Sequence, residues 1–381
     1  MKSLHMTNAW HATSGGIATH YRSLLAEARR TGRQMVLIVP GERDSLVEDG
    51  STRIYSLQSS PSPFNCAYRS IMPDRWPGVN SRAVEIVLRE QPDLIEICDK
   101  YSLHYFAGAL RKGYLPELRR RPVLIGLSCE RRDDNLSVYL TRLPVGRAFA
   151  RWYMKWIYFA FFDHHIAHSH HVAKELRLAS RGHIRERGVW VRPPGVDLSC
   201  FTTAARPTSE RSSSDRLVLY AGRLAPEKNL DLLVDAFAEL CRDGEAWRLI
   251  VAGDGVERKR LSARAENLFP GRYLFLGHIA DREQLAKLFA SCDVFVHPNP
   301  AEPFGIAPLE AMASGLAFVG PRSGGILTYA NSTNSWLAPP SPHPSPSRSV
   351  KHFHARKGKK NCLPHSRPSN AFMLTISQPN T

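Results

Sequence analysis

Apolar positions along the first two hundred residues fall into two alternating periods. Short apolar runs at Ser3–Thr7, Met35–Val39, Leu94–Cys98, Val123–Leu127, His165–Ala167 and Val189–Arg192 have the length of buried strands. Between them apolar residues recur at helical spacing over about 17–30, 81–90, 136–162 and 170–179. The same alternation resumes with a strand at Leu217–Gly222, a helix at Leu230–Cys241, a strand at Leu249–Ala252 and a helix at Val256–Leu268. It continues through a strand at Tyr273–Leu276, a helix at Arg282–Ser291, a strand at Val294–Val296, a short helix between Gly305 and Gly315, and a strand at Ala317–Gly320. Strands alternating with helices predict an α/β protein whose parallel sheets are covered on both faces. In such sheets ligands bind beyond the carboxyl ends of the strands.

Composition marks where this pattern pauses and stops. Residues 202–215 are polar and of low complexity, which predicts a first domain over 1–200, a linker over 201–215 and a second domain over 216–338. From Pro339 the periodicity collapses. The segment 339–381 holds eight prolines, seven Lys or Arg and no acid, and reads as a disordered basic tail, native or the product of a shifted reading frame.

Charge changes the picture less than its total suggests. The net charge is +16, but after Glu310 there are eight basic residues and no acidic ones, so half the excess belongs to the C-terminal end. The remainder, including Arg119-Arg120-Arg121 and Arg131-Arg132, suits an anionic membrane surface or a phosphorylated substrate. No nucleic-acid-binding motif is present, and nucleic acid is not expected as a partner. Neither a membrane-spanning apolar run nor a signal-peptide core occurs, which predicts a cytoplasmic protein, with peripheral contact at the inner membrane face as its extension. Seven scattered cysteines without a CxxC pair fit reduced thiols, neither a disulfide framework nor a zinc site.

Two stretches carry histidines or aromatics densely enough to ask for a reason. The run from Asp163 to His171 has five histidines in eight residues, but strand alternation sends neighbours to opposite faces, and no metal is expected. Residues 147–162 are aromatic and basic, as in a helix packed on the sheet with its cationic stems along the surface; the sharper reading is a surface that docks a lipid-linked acceptor.

The most informative stretch is Glu302-Pro303-Phe304-Gly305-Ile306-Ala307-Pro308-Leu309-Glu310, which comes after the Val294–Val296 strand. Glu302 is placed on a strand-to-helix loop and Glu310 roughly 7.5 Å along the helix. The amides of Gly305 and Ile306 open that helix with the positive end of its dipole. Carboxylates accept hydrogen bonds from hydroxyls while a helix start favours an anion, so the pattern suits a polyol bearing phosphate, such as a nucleotide sugar. Glutamates on a helix start and a solvated helix face would look the same.

These residues resemble the glutamates seven residues apart in the retaining nucleotide-sugar glycosyltransferases of family 4. The likeness extends to Tyr220-Ala221-Gly222-Arg223-Leu224-Ala225-Pro226-Glu227-Lys228-Asn229, to Val251-Ala252-Gly253-Asp254-Gly255, and to Ser323-Gly324-Gly325. It implies two Rossmann-like domains facing a cleft, the GT-B arrangement, with the donor in the second domain and the acceptor in the first. It also implies that Arg223 and Lys228 hold the donor diphosphate, that Glu302 holds the sugar hydroxyls and Glu310 the ribose, and that Gly253, Gly305 and Ile306 line the donor site. Backbone near His278 and Ile279 would read the base. The pair Gly15-Gly16 resembles the glycines beside the diphosphate and acceptor, although alone it would be only a tight turn.

One position departs from the pattern: where the family often has a histidine near the donor sugar, this chain has Cys129, to which no role is assigned. The helices that would come after residue 338 in the family, the last bracing the first domain, are not recognisable. The resemblance implies hexosyl transfer to a sugar or lipid-linked acceptor, as in glycolipid or surface polysaccharide synthesis, with no metal or other cofactor. A nucleotide-sugar 2-epimerase and an impaired remnant that only binds nucleotide are the rival readings.

Overall fold

A computed structural model of the chain describes residues 1–11, 15–62, 65–72, 81–115, 117–129, 144–181, 188–203, 216–242 and 246–338. The chain divides into two compact units, Met1–Pro193 and the residues from Pro194 onward. Most of the expected linker and all of the 339–381 tail lie outside the described residues.

The first unit contains β1 (Lys2–Thr7), α1 (Gly16–Thr31), β2 (Gln34–Gly41), β3 (Ser45–Asp49), β4 (Thr52–Gln58), β5 (Ser60–Ser62) and β6 (Asn65–Ser70). It continues with α2 (Arg82–Glu90), β7 (Leu94–Cys98), α3 (His104–Arg111), β8 (Val123–Ser128), α4 (Pro144–Tyr153), β9 (His164–Ala167), α5 (His170–Ser180) and β10 (Val189–Val191). Eight strands form one sheet in the order β10-β9-β8-β7-β1-β2-β4-β3, parallel except for the edge strand β3, while β5 and β6 pair as a separate antiparallel hairpin. Strand alternation splits each strand between two cores. Val36 and Ile38 of β2 pack on one face with α2, α3 and α5, while Met35, Leu37 and Val39 pack on the other with Tyr21, Leu25 and Ala28 of α1.

A polar cluster is buried under α1 where β1 and β7 pair. Glu96 Oε1 lies 2.8 Å from His5 Nδ1 and accepts a hydrogen bond from Tyr21 Oη at 3.0 Å. Burial acts to raise the Glu96 carboxyl, but the charge and hydrogen bond of His5, the charge of His20 and the Tyr21 hydroxyl outweigh it and hold it at about 2. A carboxyl depressed on folding stabilises above its unfolded value of 4.5, and that contribution is lost as pH falls through about 2. Glu96→Gln should therefore destabilise the protein by about 3 kcal/mol at pH 7, with the gap to the parent shrinking as pH falls below about 4.5. Urea unfolding of both proteins at stepped pH measures this; a gap unchanged at pH 3 would refute the assignment.

The second unit contains β11 (Arg216–Ala221), α6 (Leu230–Cys241), β12 (Trp247–Ala252), α7 (Arg258–Leu268), β13 (Tyr273–Gly277), α8 (Arg282–Ser291), β14 (Val294–Val296), α9 (Ile306–Ala313), β15 (Ala317–Pro321) and β16 (Trp336–Ala338). Its six strands are all parallel, in the order β13-β12-β11-β14-β15-β16. Val218 and Tyr220 of β11 face one core and Leu219 and Ala221 the other. Phe201 is buried in this second unit against Phe289, with Val196 and Cys200 beside it, so the segment before the linker packs with the residues beyond the linker. The order reverses between β11 and β14, and a crevice for ligand is expected at that switch point.

Several elements differ from the sequence expectation. The helix expected over 136–162 begins, among described residues, at Pro144, and after Tyr153 it widens into a π-helical turn, Met154–Tyr158, before Phe159–Phe161. The sheet of the first unit is not wholly parallel, because β3 adds antiparallel to β4 with every residue exposed. Strands β3, β4, β5 and β6 and the helix α3 had no counterpart in the pattern. Ser45–Asp49 holds only two apolar residues, so an exposed edge strand leaves almost no hydrophobic trace. The histidine run does alternate: His164 is exposed and His165 buried against the ring of Phe159 at 4.3 Å, while Ser169 caps α5 by accepting from the Val172 amide.

Candidate active site

The second unit places its chemistry on the two loops that leave the switch point. After β11 the chain turns at Gly222, passes Arg223, and makes a short 3-10 turn at Pro226–Lys228 before α6. This turn packs against the one after β12, because glycine stands where a side chain could not. A Cβ on Gly253 would lie 1.9 Å from the Gly222 carbonyl oxygen, and one on Gly255 would lie 2.2 Å from that of Leu224. The Gly253 amide also donates to the Gly277 carbonyl at 2.7 Å, which fixes the turn carrying His278 and Ile279. His278 is exposed and Ile279 half-buried at the carboxyl end of β13.

The loop after β14 carries Glu302 and is pinned from behind. A Cβ on Gly325 would lie 1.8 Å from the Pro303 carbonyl oxygen, and the Gly325 amide donates to the Glu302 carbonyl at 2.6 Å. Ser323 Oγ donates to the Pro300 carbonyl at 2.8 Å. Tyr329 Oη lies 2.9 Å and 2.7 Å from the carbonyls of Phe304 and Gly305, and Gly305 itself adopts φ +82°, a left-handed conformation that glycine takes without strain. No side chain caps the start of α9 at Ile306.

Glu302 is the point at which the two loops meet. Its Oε2 accepts from Lys228 Nζ at 2.8 Å and from Asn299 Nδ2 at 3.2 Å, and lies 3.0 Å from His297 Nε2. Among the described residues none donates to Oε1. Burial acts to raise this carboxyl, but the Lys228 charge and the contacts with His297 hold it well below the usual carboxylate range. An ionised carboxylate with one oxygen saturated and the other open is an acceptor ready for hydroxyl groups.

The remaining predicted residues divide between positions. Arg223 Nη2 donates to Glu227 Oε1 at 2.8 Å. Glu310 is buried on α9, with Arg282 Nη2 2.8 Å from its Oε1. Burial pushes the Glu310 carboxyl up, only partly opposed by Arg282. The two glutamates thus sit in opposite electrostatic settings, Glu302 firmly ionised and Glu310 less so. Gly15 and Gly16 lie in the first unit, where Gly15 caps α1 and a Cβ there would meet nothing within 4 Å. Thr13 and Ser14 before them lie outside the described residues.

His297, Asn299 and Arg282 are the residues that the sequence reading missed. His297 and Asn299 sit between the β14 strand and Glu302, and their signal was only their place in a loop too polar for its depth. Arg282 was read as the start of a helix, and nothing local ties it to Glu310, 28 positions away.

Comparison with known proteins fits this geometry. A family model described as Glycosyltransferase Family 4 matches residues 14–199, and one described as Glycosyl transferases group 1 matches residues 202–351. A GDP-mannose-dependent alpha-(1-6)-phosphatidylinositol dimannoside mannosyltransferase of Mycobacterium tuberculosis is 31% identical over 338 residues, covering 85% of this chain and 80% of that protein. A GDP-mannose-dependent alpha-mannosyltransferase of Corynebacterium glutamicum is 28% identical over 328 residues, covering 83% of this chain and 71% of that protein. Among solved structures, sucrose-phosphate synthase from Thermosynechococcus elongatus superposes with a TM-score of 0.73 at 19% identity, covering 95% of this chain and 92% of the other. Anabaena HepE in complex with UDP and glucose gives 0.66 at 18% identity, covering 99% and 95%. With matches of this length and identity on a pair of Rossmann-like units, the chain belongs to the family 4 glycosyltransferases of GT-B fold, enzymes that draw on a nucleotide-sugar donor.

Proposed function

We propose that the enzyme moves a hexose, with GDP-mannose as the first candidate donor, to a hydroxyl of a sugar or lipid-linked acceptor with retention of configuration. The observation that carries this reading is the meeting of Lys228 Nζ and Glu302 Oε2 at 2.8 Å, which brings a phosphate-binding cation and a hydroxyl acceptor together at the switch point. Cleaving the sugar–phosphate bond develops negative charge on the leaving diphosphate. Arg223, Lys228 and the uncapped start of α9 at Gly305 and Ile306 supply fixed positive charge for it without a divalent ion. Glu302 Oε1 takes the sugar hydroxyls and Glu310 the ribose. Gly253, His278 and Ile279 frame the base, and Gly15 and Gly16 lie toward the acceptor. The acceptor hydroxyl attacks the same face that the diphosphate leaves, and a leaving phosphate oxygen takes its proton. The two relatives whose names specify GDP-mannose support guanine as the base.

A donor panel of GDP-mannose, UDP-glucose and UDP-galactose, with the product anomer read by NMR, tests this reading. Turnover of GDP-mannose to an α-mannoside is the expected result, undiminished in EDTA. Activity lost to chelator and restored by Mn²⁺ would overturn the leaving-group chemistry. Epimerised nucleotide sugar without acceptor would favour an epimerase, and nucleotide binding without turnover would favour a remnant.

The acceptor is proposed to be presented at a membrane surface. Phe149, Trp152 and Trp156 are 52%, 51% and 55% exposed on the solvent side of α4 and its π-helical turn, spaced as one helical stripe, with exposed Arg151 and half-buried Lys155 among them. Aromatic rings interleaved with cations suit an anionic bilayer interface. Among the described residues no helix is long and apolar enough to cross a membrane. Trp152→Ala/Trp156→Ala should reduce co-sedimentation with phosphatidylglycerol vesicles about tenfold or more, since each indole contributes of the order of 1 kcal/mol or more at an interface. Equal sedimentation of parent and variant would remove this surface from the account.

A further inference from the structure

The departure at Cys129 gains a meaning from its neighbours. Strands β7 and β8 are parallel, with Ile97 opposite Gly126. Cys98 is one residue past that pair and Cys129 three past it, so alternation sends both side chains to the α1 face. There Cys98 Sγ and Cys129 Sγ lie 3.2 Å apart, Cys98 buried and Cys129 half-buried. Both belong to the core beneath α1, beside Leu127 and Tyr21. His168 Nε2 is 3.8 Å from Cys129 Sγ, and the ring of His168 meets that of His20 on α1 at 4.7 Å.

We propose that Cys98 and Cys129 form a reversible thiol–disulfide site, oxidised by peroxide, that throttles sugar transfer when closed. The sulfurs need approach by only about 1.2 Å to reach the roughly 2.05 Å of a disulfide. Cys129 is the more exposed and is oxidised first: its sulfur attacks peroxide, the O–O bond breaks, an S–O bond forms and one water leaves, giving the sulfenic acid. Cys98 sulfur then attacks that sulfur, an S–S bond forms, and the hydroxyl departs as a second water with the Cys98 proton. Two thiols and one peroxide yield one disulfide and two waters.

An uncharged imidazole stands beside the pair. Burial is the first cause that lowers His168, to about 3, so at neutral pH it is uncharged, and the Cys129 proton leaves with the hydroxide released from peroxide as the first water. Closure would join the carboxyl ends of β7 and β8 and withdraw Cys129 from His168, and through it from His20, four residues after the Gly16 that opens α1. This consequence for transfer rests on the first unit being the acceptor side, as in the proposed function, whereas the crosslink itself does not.

The full chain, reduced and then titrated with hydrogen peroxide, should lose two hydrogens in mass and yield a non-reduced tryptic species joining the Cys98 and Cys129 peptides. Dithiothreitol should reverse it. Cys98→Ser should instead give a dimedone adduct at Cys129, which keeps the chemistry readable even if transfer is never detected. Sugar transfer should fall at least tenfold in the crosslinked parent, return on reduction, and be insensitive to the same peroxide dose in Cys98→Ser/Cys129→Ser. Both thiols remaining open to alkylation after peroxide, or pairing with other cysteines, would overturn the site. A crosslinked enzyme transferring at the reduced rate would overturn its control of activity.

Discussion

Lys228→Ala should lower kcat by about 10²–10³ at saturating donor, the scale on which removing one preorganised charge-stabilising group acts. Arg223→Ala should do likewise, but the two variants should differ in a second respect. Arg223 is half exposed and ion-paired to Glu227 near the surface, so its loss should leave stability within about 0.5 kcal/mol. Lys228 donates to the buried Glu302, and its loss leaves that carboxylate, among the described residues, with only His297 and Asn299 on Oε2. Removing one partner of a buried pair costs up to about 3–5 kcal/mol. Transfer assays beside urea unfolding separate the two effects, and Lys228→Ala/Glu302→Gln should regain stability without regaining turnover. Parent-like transfer by both single variants would place the diphosphate elsewhere.

Gly325→Ala is expected to be as damaging to activity although the residue carries no functional group. Its Cβ would sit 1.8 Å from the Pro303 carbonyl oxygen, so backbone must move, and the backbone that moves is the loop holding Glu302. Overpacking of this kind costs about 1–3 kcal/mol of stability. A displacement near 1 Å at a catalytic loop can cost about 10²-fold in rate. Nucleotide-sugar turnover and the thermal midpoint, measured on the same preparation, should fall together. A variant with parent turnover would show that the loop is positioned by Tyr329 and Ser323 alone.

The parts of this molecule that were legible beforehand are those in which local pattern and burial coincide. Helices α6 and α8 and strand β14 fall where apolar spacing puts them, because each is flanked by polar turns and buried on a defined face. The turn glycines and the charged residues around Lys228 and Glu302 were singled out by their likeness to a family pattern, while the apolar spacing gave only their place on loops that follow β11, β12 and β14. Strand β3 was not, since an exposed edge strand is held by hydrogen bonds that any sequence can make. Nor was the bracing of Glu302 by His297, or of Glu310 by Arg282, because a side-chain contact between elements is set by packing and leaves no periodic trace.

The reversal of strand order in the second unit also sets a schedule for synthesis. Lys228 comes after β11 and Glu302 after β14, and the hydrogen bond between them spans 74 positions of sequence. As the chain emerges, β11, β12 and β13 can be laid side by side in order, but β14 must return to the far flank of β11 before the site exists. At about 5–20 residues per second, Lys228 waits some 4–15 s for its partner. During that interval the open flank of β11, with Leu219 and Val218 unpaired, is the adhesive edge of the nascent chain. A ribosome stalled just after the Val294–Val296 segment has cleared the exit tunnel would carry β11 covered by β14, with the open edge moved to β14 until β15 arrives, and one stalled before it would leave the β11 flank itself exposed for chaperones to bind.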